Sequence, residues 1–136
     1  RSSDLASKED LIKNSDFIVI LTPLVKETYH LINIREFDLM KKSAILINVS
    51  RGQTVNEEAL IKALKDGKIA GAGLDVFEKE PLDKNNPLLE MNNVVTLPHI
   101  GSGTHATRNA MSMIAAENMI MELAGKVPKN LVEELK

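Results

Sequence analysis

The chain of 136 residues contains no cysteine. That excludes a disulfide framework and any thiolate metal site, and no metal is expected. It suits a reducing, cytoplasmic setting; an organellar one would need a targeting segment upstream of Arg1. Charge of one sign is lacking too. The 17 Lys and Arg stand against 19 Asp and Glu, for a net charge of −2 without any block of like charges. Neither nucleic acid nor an anionic membrane is therefore expected as the main partner. No apolar run approaches the roughly 20 residues of a membrane span, and no secretory signal is present. What remains is enough chain for one domain with a real core. It begins at Arg1, not Met, in polar sequence, so it reads as open to being a piece of something longer.

Two kinds of segment alternate along it. Four short runs are rich in Val, Ile and Leu: "DFIVILT" (16–22), "AILINVS" (44–50), "IAGAGLDVF" (69–77) and "VVTLP" (94–98). They are apolar on consecutive residues, which predicts strands covered on both faces, as in parallel sheets. Helices are predicted between them. "KEDLIKN" (8–14) puts Leu11 and Ile12 on one side and has Ser7 as a cap, and "IREFDLMKK" (34–42) has Asn33 as its cap. "NEEALIKALKDGK" (56–68) is the clearest. Asn56 caps it, Glu57 and Glu58 suit its positive end, Ala59, Leu60, Ala63 and Leu64 make its apolar stripe, and Gly67 closes it. A last long helix runs from near Thr104 to about Ala124, stopped by Gly125 and Pro128. Its Ala110, Met113, Ile114, Ile120 and Met121 give apolar surface on more than one side, which suits burial in its own protein or, less commonly, a scaffold or oligomerisation role. "EKEPLDKNNP" (78–87) reads as a surface loop. The alternation means βαβ units: an α/β fold with about four parallel strands and flanking helices.

In open α/β sheets, ligands bind outside the carboxyl ends of the strands. If all four strands point the same way, as the right-handed crossover rule suggests, the segments that follow them share one rim. These are "TPL" (22–24), then Ser50-Arg51-Gly52, then Asp75 and the stretch carrying Glu80, then His99 with Gly101 and Gly103. A histidine exchanges a proton near neutral pH. A neighbouring carboxylate holds its ring and leaves that proton available for donation. An arginine binds a carboxylate through two parallel hydrogen bonds. Arg51, Glu80 and His99 together suit a 2-keto acid: Arg51 grips the acid and polarises the carbonyl, and His99, oriented by Glu80, protonates the carbonyl oxygen as a hydride arrives. Taken singly, each has a plainer reading. His99 after Pro98 reads as a solvated loop residue, Arg51 before Gly52 as an exposed turn, Glu80 among Glu78, Lys79 and Asp83 as solvated surface, and Asp75 as a turn former. His30 and His105 sit at no strand tip and read as structural or exposed.

The stretches "INVSRGQTVNEEALIKALKDGKIAGAGLDVFEKEPL" and "LPHIGSGTHATRN" resemble the D-isomer-specific 2-hydroxyacid dehydrogenases, and within them the glyoxylate/hydroxypyruvate reductases most. The resemblance spans nearly the whole chain. It implies a nicotinamide-dependent oxidoreductase with a Rossmann-type doubly wound parallel sheet and a separate substrate domain. It places the catalytic arginine, glutamate and histidine on Arg51, Glu80 and His99, the residues the strand tips select. It also implies a carboxamide-binding role for Asp75, a place beside the cofactor ribose for Thr22 and Pro23, and nicotinamide-facing groups around Ser50, Gly101 and Ser102. Members are usually homodimers acting on small 2-keto or 2-hydroxy acids; some resemble corepressors that sense NAD(H) without catalysis.

One departure is large. No G-x-G-x-x-G loop exists here, since "GAG" at 71–73 opens no helix. The chain is therefore expected to be the C-terminal half of such an enzyme. Residues 1–103 would be the second half of the NAD(P)-binding domain, and 104–136 a helix and tail returning toward the substrate domain. With "DFIVILT" left at an edge, the chain alone is expected to associate with itself and to bind no cofactor. Arg1 and Ser2 would follow the strand that meets the cofactor ribose. A basic residue with hydroxyls there suits a 2′-phosphate, which leans the cofactor to NADP over NAD.

Overall fold

The computed structural model describes residues 6–132. The chain divides into two units, Arg1–Ile100 and Gly101–Lys136. In the first, α1 (Lys8–Asn14), β1 (Phe17–Ile20), α2 (Ile34–Leu39), β2 (Ile45–Asn48), α3 (Glu57–Lys65), β3 (Gly71–Leu74) and β4 (Val94–Thr96) follow one another. The strands form one sheet in the order β1-β2-β3-β4, and every neighbouring pair is parallel. This is the α/β, Rossmann-type arrangement that the alternation predicts. The strands are shorter than the apolar runs because only their central residues find ladder partners.

Local signals set the helix ends. Ser7 accepts the Asp10 N–H at 3.1 Å, and Asn56 accepts the Ala59 N–H at 3.0 Å. Asn33 and Glu36 form a reciprocal capping box. Each such cap is worth about 1 kcal/mol. At the far end of α3, Gly67 takes a φ of 66°. The Lys68 N–H then bonds the Ala63 carbonyl at 2.9 Å, and the Gly67 N–H bonds Leu64 at 3.2 Å. That paired closure satisfies carbonyls a straight helix end would leave open.

The core lies between the helices and one face of the sheet, where Ile12, Phe37 and Leu60 meet Ile18, Ile20, Leu46 and Leu74. The other face departs from expectation. Burial alternates along β1, with Phe17 and Val19 at 65% and 51% exposure. Val19, Ile47, Gly73 and Val95 are in register, and Val95 and Leu97 are exposed as well. Within residues 6–100 the consecutive apolar residues are thus covered on one face, because α1, α2 and α3 all contribute to the same side. Leu11 also remains exposed while Ile12 is buried: adjacent residues on a helix point about 100° apart, and this two-turn helix buries a single line.

The second unit contains α4 (His105–Leu123), capped by Thr104 and closed by Gly125 at a φ of 69°. No residue of α4 is buried. No helix among the described residues is long and apolar enough to cross a membrane.

Candidate active site at the carboxyl rim

Parallel pairing brings the ends of the four strands to one rim. Behind the turn that follows β2 stands Asn48, buried at 1% exposure. Its Nδ2 donates to the Arg51 carbonyl at 3.1 Å and to Thr54 Oγ1 at 3.2 Å. Its Oδ1 accepts from both the N–H and the hydroxyl of Ser50 at 3.1 Å. Thr54 Oγ1 donates to the Arg51 carbonyl at 2.7 Å. One buried carboxamide therefore satisfies the inner polar groups of the turn, which a buried turn requires. Gly52 lies directly against the next loop: a Cβ there would sit 1.9 Å from the carbonyl carbon and oxygen of Phe77. Outward of this support, the Arg51 side chain is exposed, with Nη1 donating to the Ser50 carbonyl at 2.7 Å.

The loop after β3 runs from Asp75 to Glu80. Phe77 N–H donates to Glu80 Oε1 at 3.0 Å, and the Glu80–Pro81 peptide bond is cis. The other oxygen, Oε2, lies 2.7 Å from His99 Nδ1. A carboxylate only accepts, so Nδ1 carries the proton and Nε2 is left to exchange one with a ligand. Partial burial pushes the Glu80 carboxyl up. The His99 hydrogen bond, the Phe77 N–H and the His99 charge outweigh that, and together they hold it below its ordinary range despite Asp75 nearby.

His99 itself adopts a φ of 55°, a left-handed backbone that costs a non-glycine residue about 1–2 kcal/mol. The following N–H, of Ile100, donates to Asp75 Oδ1 at 2.8 Å. Two carboxylates thus hold the tip, Glu80 by the ring and Asp75 by the backbone. Strained backbone held by its surroundings is characteristic of functional sites.

Arg51, Glu80 and His99 line one open cleft of about 450 Å3, together with Gly52, Gln53, Phe77, Glu78 and Lys79. A second hollow, of about 430 Å3, is lined by Leu21, Thr22, Pro23, Leu24, Ser50 and Arg51, so Arg51 borders both. Among the described residues, Thr22 Oγ1 is the buried side-chain polar atom without a hydrogen-bond partner. An orphaned hydroxyl beside Ser50 fits a ligand rich in hydroxyl or amide groups, as a dinucleotide is. The Glu80–His99 pair also borders an apolar hollow lined by Leu82, Leu89, Leu97 and Pro98.

The three strand-tip residues therefore share a cleft, and Thr22, Pro23 and Ser50 share the hollow next to it. Asp75 is buried and braces Ile100. Gly101 and Ser102 belong to the second unit and are exposed there. Arg1 and Ser2 lie outside the described residues. His105 is the exposed first residue of α4, whereas His30 is partly buried and paired with Glu78 at 2.8 Å. The structural reading of His30 holds, whereas the supporting roles of Asn48 and Glu78 are found only in the structure; Asn48 leaves one local signal in the sequence, as the amide within the apolar run 44–50.

Comparison with known proteins places the chain in a family. Residues 1–101 match the family model of the D-isomer specific 2-hydroxyacid dehydrogenase, NAD binding domain. The chain is 55% identical over 124 residues to glyoxylate/hydroxypyruvate reductase B of Enterobacter sp. (strain 638), covering 91% of this chain and 38% of that protein. It is similar in structure to the NADPH-dependent glyoxylate/hydroxypyruvate reductase of Sinorhizobium meliloti, in complex with NADP and malonate. There the TM-score is 0.86 at 37% identity, over 93% of this chain and 39% of that one. The D-lactate dehydrogenase of Lactobacillus jensenii with NAD+ gives a TM-score of 0.86 at 32% identity, over 94% of this chain and 42% of that one. The chain thus spans about two fifths of the length of the relatives it matches.

Proposed function

Because this chain belongs to the D-isomer specific 2-hydroxyacid dehydrogenase family, we propose that it carries the catalytic rim of an enzyme reducing a small 2-keto acid. The substrate is of the glyoxylate or hydroxypyruvate type, and the product is the D-2-hydroxy acid. The observation that carries the reading is the shared cleft of Arg51, Glu80 and His99, with the imidazole held 2.7 Å from the carboxylate.

The chemistry follows from the groups. Arg51 binds the substrate carboxylate with its planar fork and draws electron density from the adjacent carbonyl. His99 delivers a proton from Nε2 to the carbonyl oxygen, and in the oxidative direction removes it from the hydroxyl. Glu80 fixes the ring through Nδ1 and stabilises the charged imidazolium. A nicotinamide cofactor, when bound, supplies or accepts the hydride. Thr22, Pro23, Ser50 and Asp75 are the residues of the described part that would hold it, with Gly101 and Ser102 as further contacts. Arg1 and Ser2 are proposed to favour NADP over NAD. A sensor without catalysis has no need of a proton donor so held, and that argues against the corepressor reading. The sequence contains no glycine-rich phosphate loop, so turnover is assigned to the full-length protein, as a homodimer, with residues 1–103 in its cofactor domain and 104–136 leading toward its substrate domain.

The test is turnover of the full-length protein with glyoxylate, hydroxypyruvate and pyruvate, each with NADH and with NADPH, followed by loss of reduced-nicotinamide absorbance. Reduction of at least one acid is expected, with the higher kcat/KM on NADPH. No reduction of any of the three overturns the activity; a higher kcat/KM on NADH overturns the cofactor preference alone.

A further inference from the structure

The Arg51 turn and the Glu80 loop come from different strands, yet the reaction needs them at a fixed spacing. Two contacts join them directly, and a third ties the Glu80 loop to α3. Gly52 sits against the Phe77–Glu78 peptide with no room for a side chain. Gln53 Nε2 donates to the Glu78 carbonyl at 3.0 Å. Glu78 and Glu57 exchange hydrogen bonds: the Glu57 N–H donates to Glu78 Oε1 at 3.0 Å, and the Glu78 N–H donates to Glu57 Oε2 at 3.1 Å. The loop is thereby tied to the first turn of α3 two residues before Glu80.

A third segment closes the arrangement. His30 Nε2 lies 2.8 Å from the same Glu78 Oε1, while the His30 N–H donates to the Gln53 carbonyl at 2.8 Å. One residue therefore grips the Arg51 side with its backbone and the Glu80 side with its ring. The ring is stacked on Tyr29 at 4.1 Å. The segment is pinned further by Ile32 N–H to the Thr54 carbonyl at 3.1 Å and by Asn56 N–H to the Ile32 carbonyl at 2.9 Å. His30 holds a φ of 49° to do this. A left-handed histidine whose two polar ends reach two different loops is more than a surface residue needs.

We propose that the His30–Glu78 pair is a positioning brace that sets the spacing between Arg51 and the Glu80–His99 pair. The catalytic side of this rests on the reading of the site given above; the mechanical side does not. Neither residue takes part in proton transfer. A displacement of the order of 1 Å between catalytic groups lowers turnover about 100-fold, so loss of the brace falls on kcat.

Two variants break the contact from opposite sides. Glu78→Ala removes the acceptor, and His30→Asn keeps a residue tolerant of positive φ while falling short of Glu78. Glu78→Gln retains an acceptor oxygen and serves as the rescue. In the full-length protein, both breaking variants are expected to lower kcat by roughly 10- to 100-fold with the KM for reduced cofactor unchanged, and Glu78→Gln to recover most of the loss. In the same full-length protein, the Nδ1 proton resonance of His99, recorded by NMR, is expected to shift in both breaking variants and to return in Glu78→Gln. Should Glu78→Ala fail to fold, His30→Asn decides. An unmoved His99 resonance in a folded breaking variant, or kcat within twofold of the parent, overturns the brace. If the parent protein reduces no keto acid but the resonance still moves, the catalytic reading falls and the mechanical coupling stands.

Discussion

The turns that follow β2 and β4 use opposite strategies. Around Ser50–Thr54 the backbone is locked from inside: a buried amide, a buried threonine and a glycine without clearance hold it, and the arginine side chain it presents is exposed, bonded among the described residues only to the neighbouring Ser50 carbonyl. Around His99 little is buried. The imidazole is half exposed, the backbone is left-handed, and the tip is held by two carboxylates rather than by packing. The contrast matches the tasks proposed for the two residues. A group that binds a charged substrate needs a fixed root and a mobile reach. A group that moves a proton needs a fixed ring, set by hydrogen bonds that themselves carry charge.

Perturbations at five positions sharpen that contrast. The largest effect is expected from the open turn: His99→Ala in the full-length protein should lower kcat by about 1,000-fold, the scale of a lost general acid, with cofactor binding by fluorescence titration unchanged; normal turnover ends the proton-transfer proposal. Arg51→Ala should likewise nearly abolish turnover, and Arg51→Lys should restore only part of it, since an ammonium lacks the planar fork. Both Arg51 variants should leave thermal stability as it is, because the side chain is exposed. The locked turn should respond in the reverse way. Gly52→Ala forces the Phe77 backbone to move and should cost about 3 kcal/mol by denaturant unfolding, and Asn48→Ala about 2 kcal/mol from the polar groups it abandons. A Gly52→Ala protein as stable as the parent would show that the two loops are not in contact. The smallest effect is a pH dependence. Glu80 has a lowered folded-state value, so it stabilises the fold above its unfolded value, and that share is lost as pH falls through the folded one. Thermal midpoints of the parent and of Glu80→Gln should therefore converge on acidification below the ordinary carboxylate range.

Much of this was legible in the residues themselves. Helix ends at Ser7, Asn33, Asn56 and Thr104 follow from capping chemistry that acts over three or four positions. The four apolar runs, the first three spaced by helices, imply the parallel sheet, and the sheet implies that Arg51, Glu80 and His99 share a rim. Two things were hidden. The contact of His30 with Glu78 joins residues 48 positions apart, and no periodicity reports it. The uncovered sheet face was hidden as well: consecutive apolar residues announce that both faces seek cover, and Phe17, Val19 and Val95 show that residues 6–100 provide it on one.

The backbone of His99 has an evolutionary corollary. Glycine accepts its bend at no steric cost, asparagine and aspartate accept it too, and the last two are a single nucleotide change away. None of them can shuttle a proton at neutral pH as an imidazole does. A shape-preserving, chemically silent descendant of this domain is therefore always close at hand. A lineage that retires the reaction while keeping the scaffold gives up the Glu80–His99 contact but not the bend.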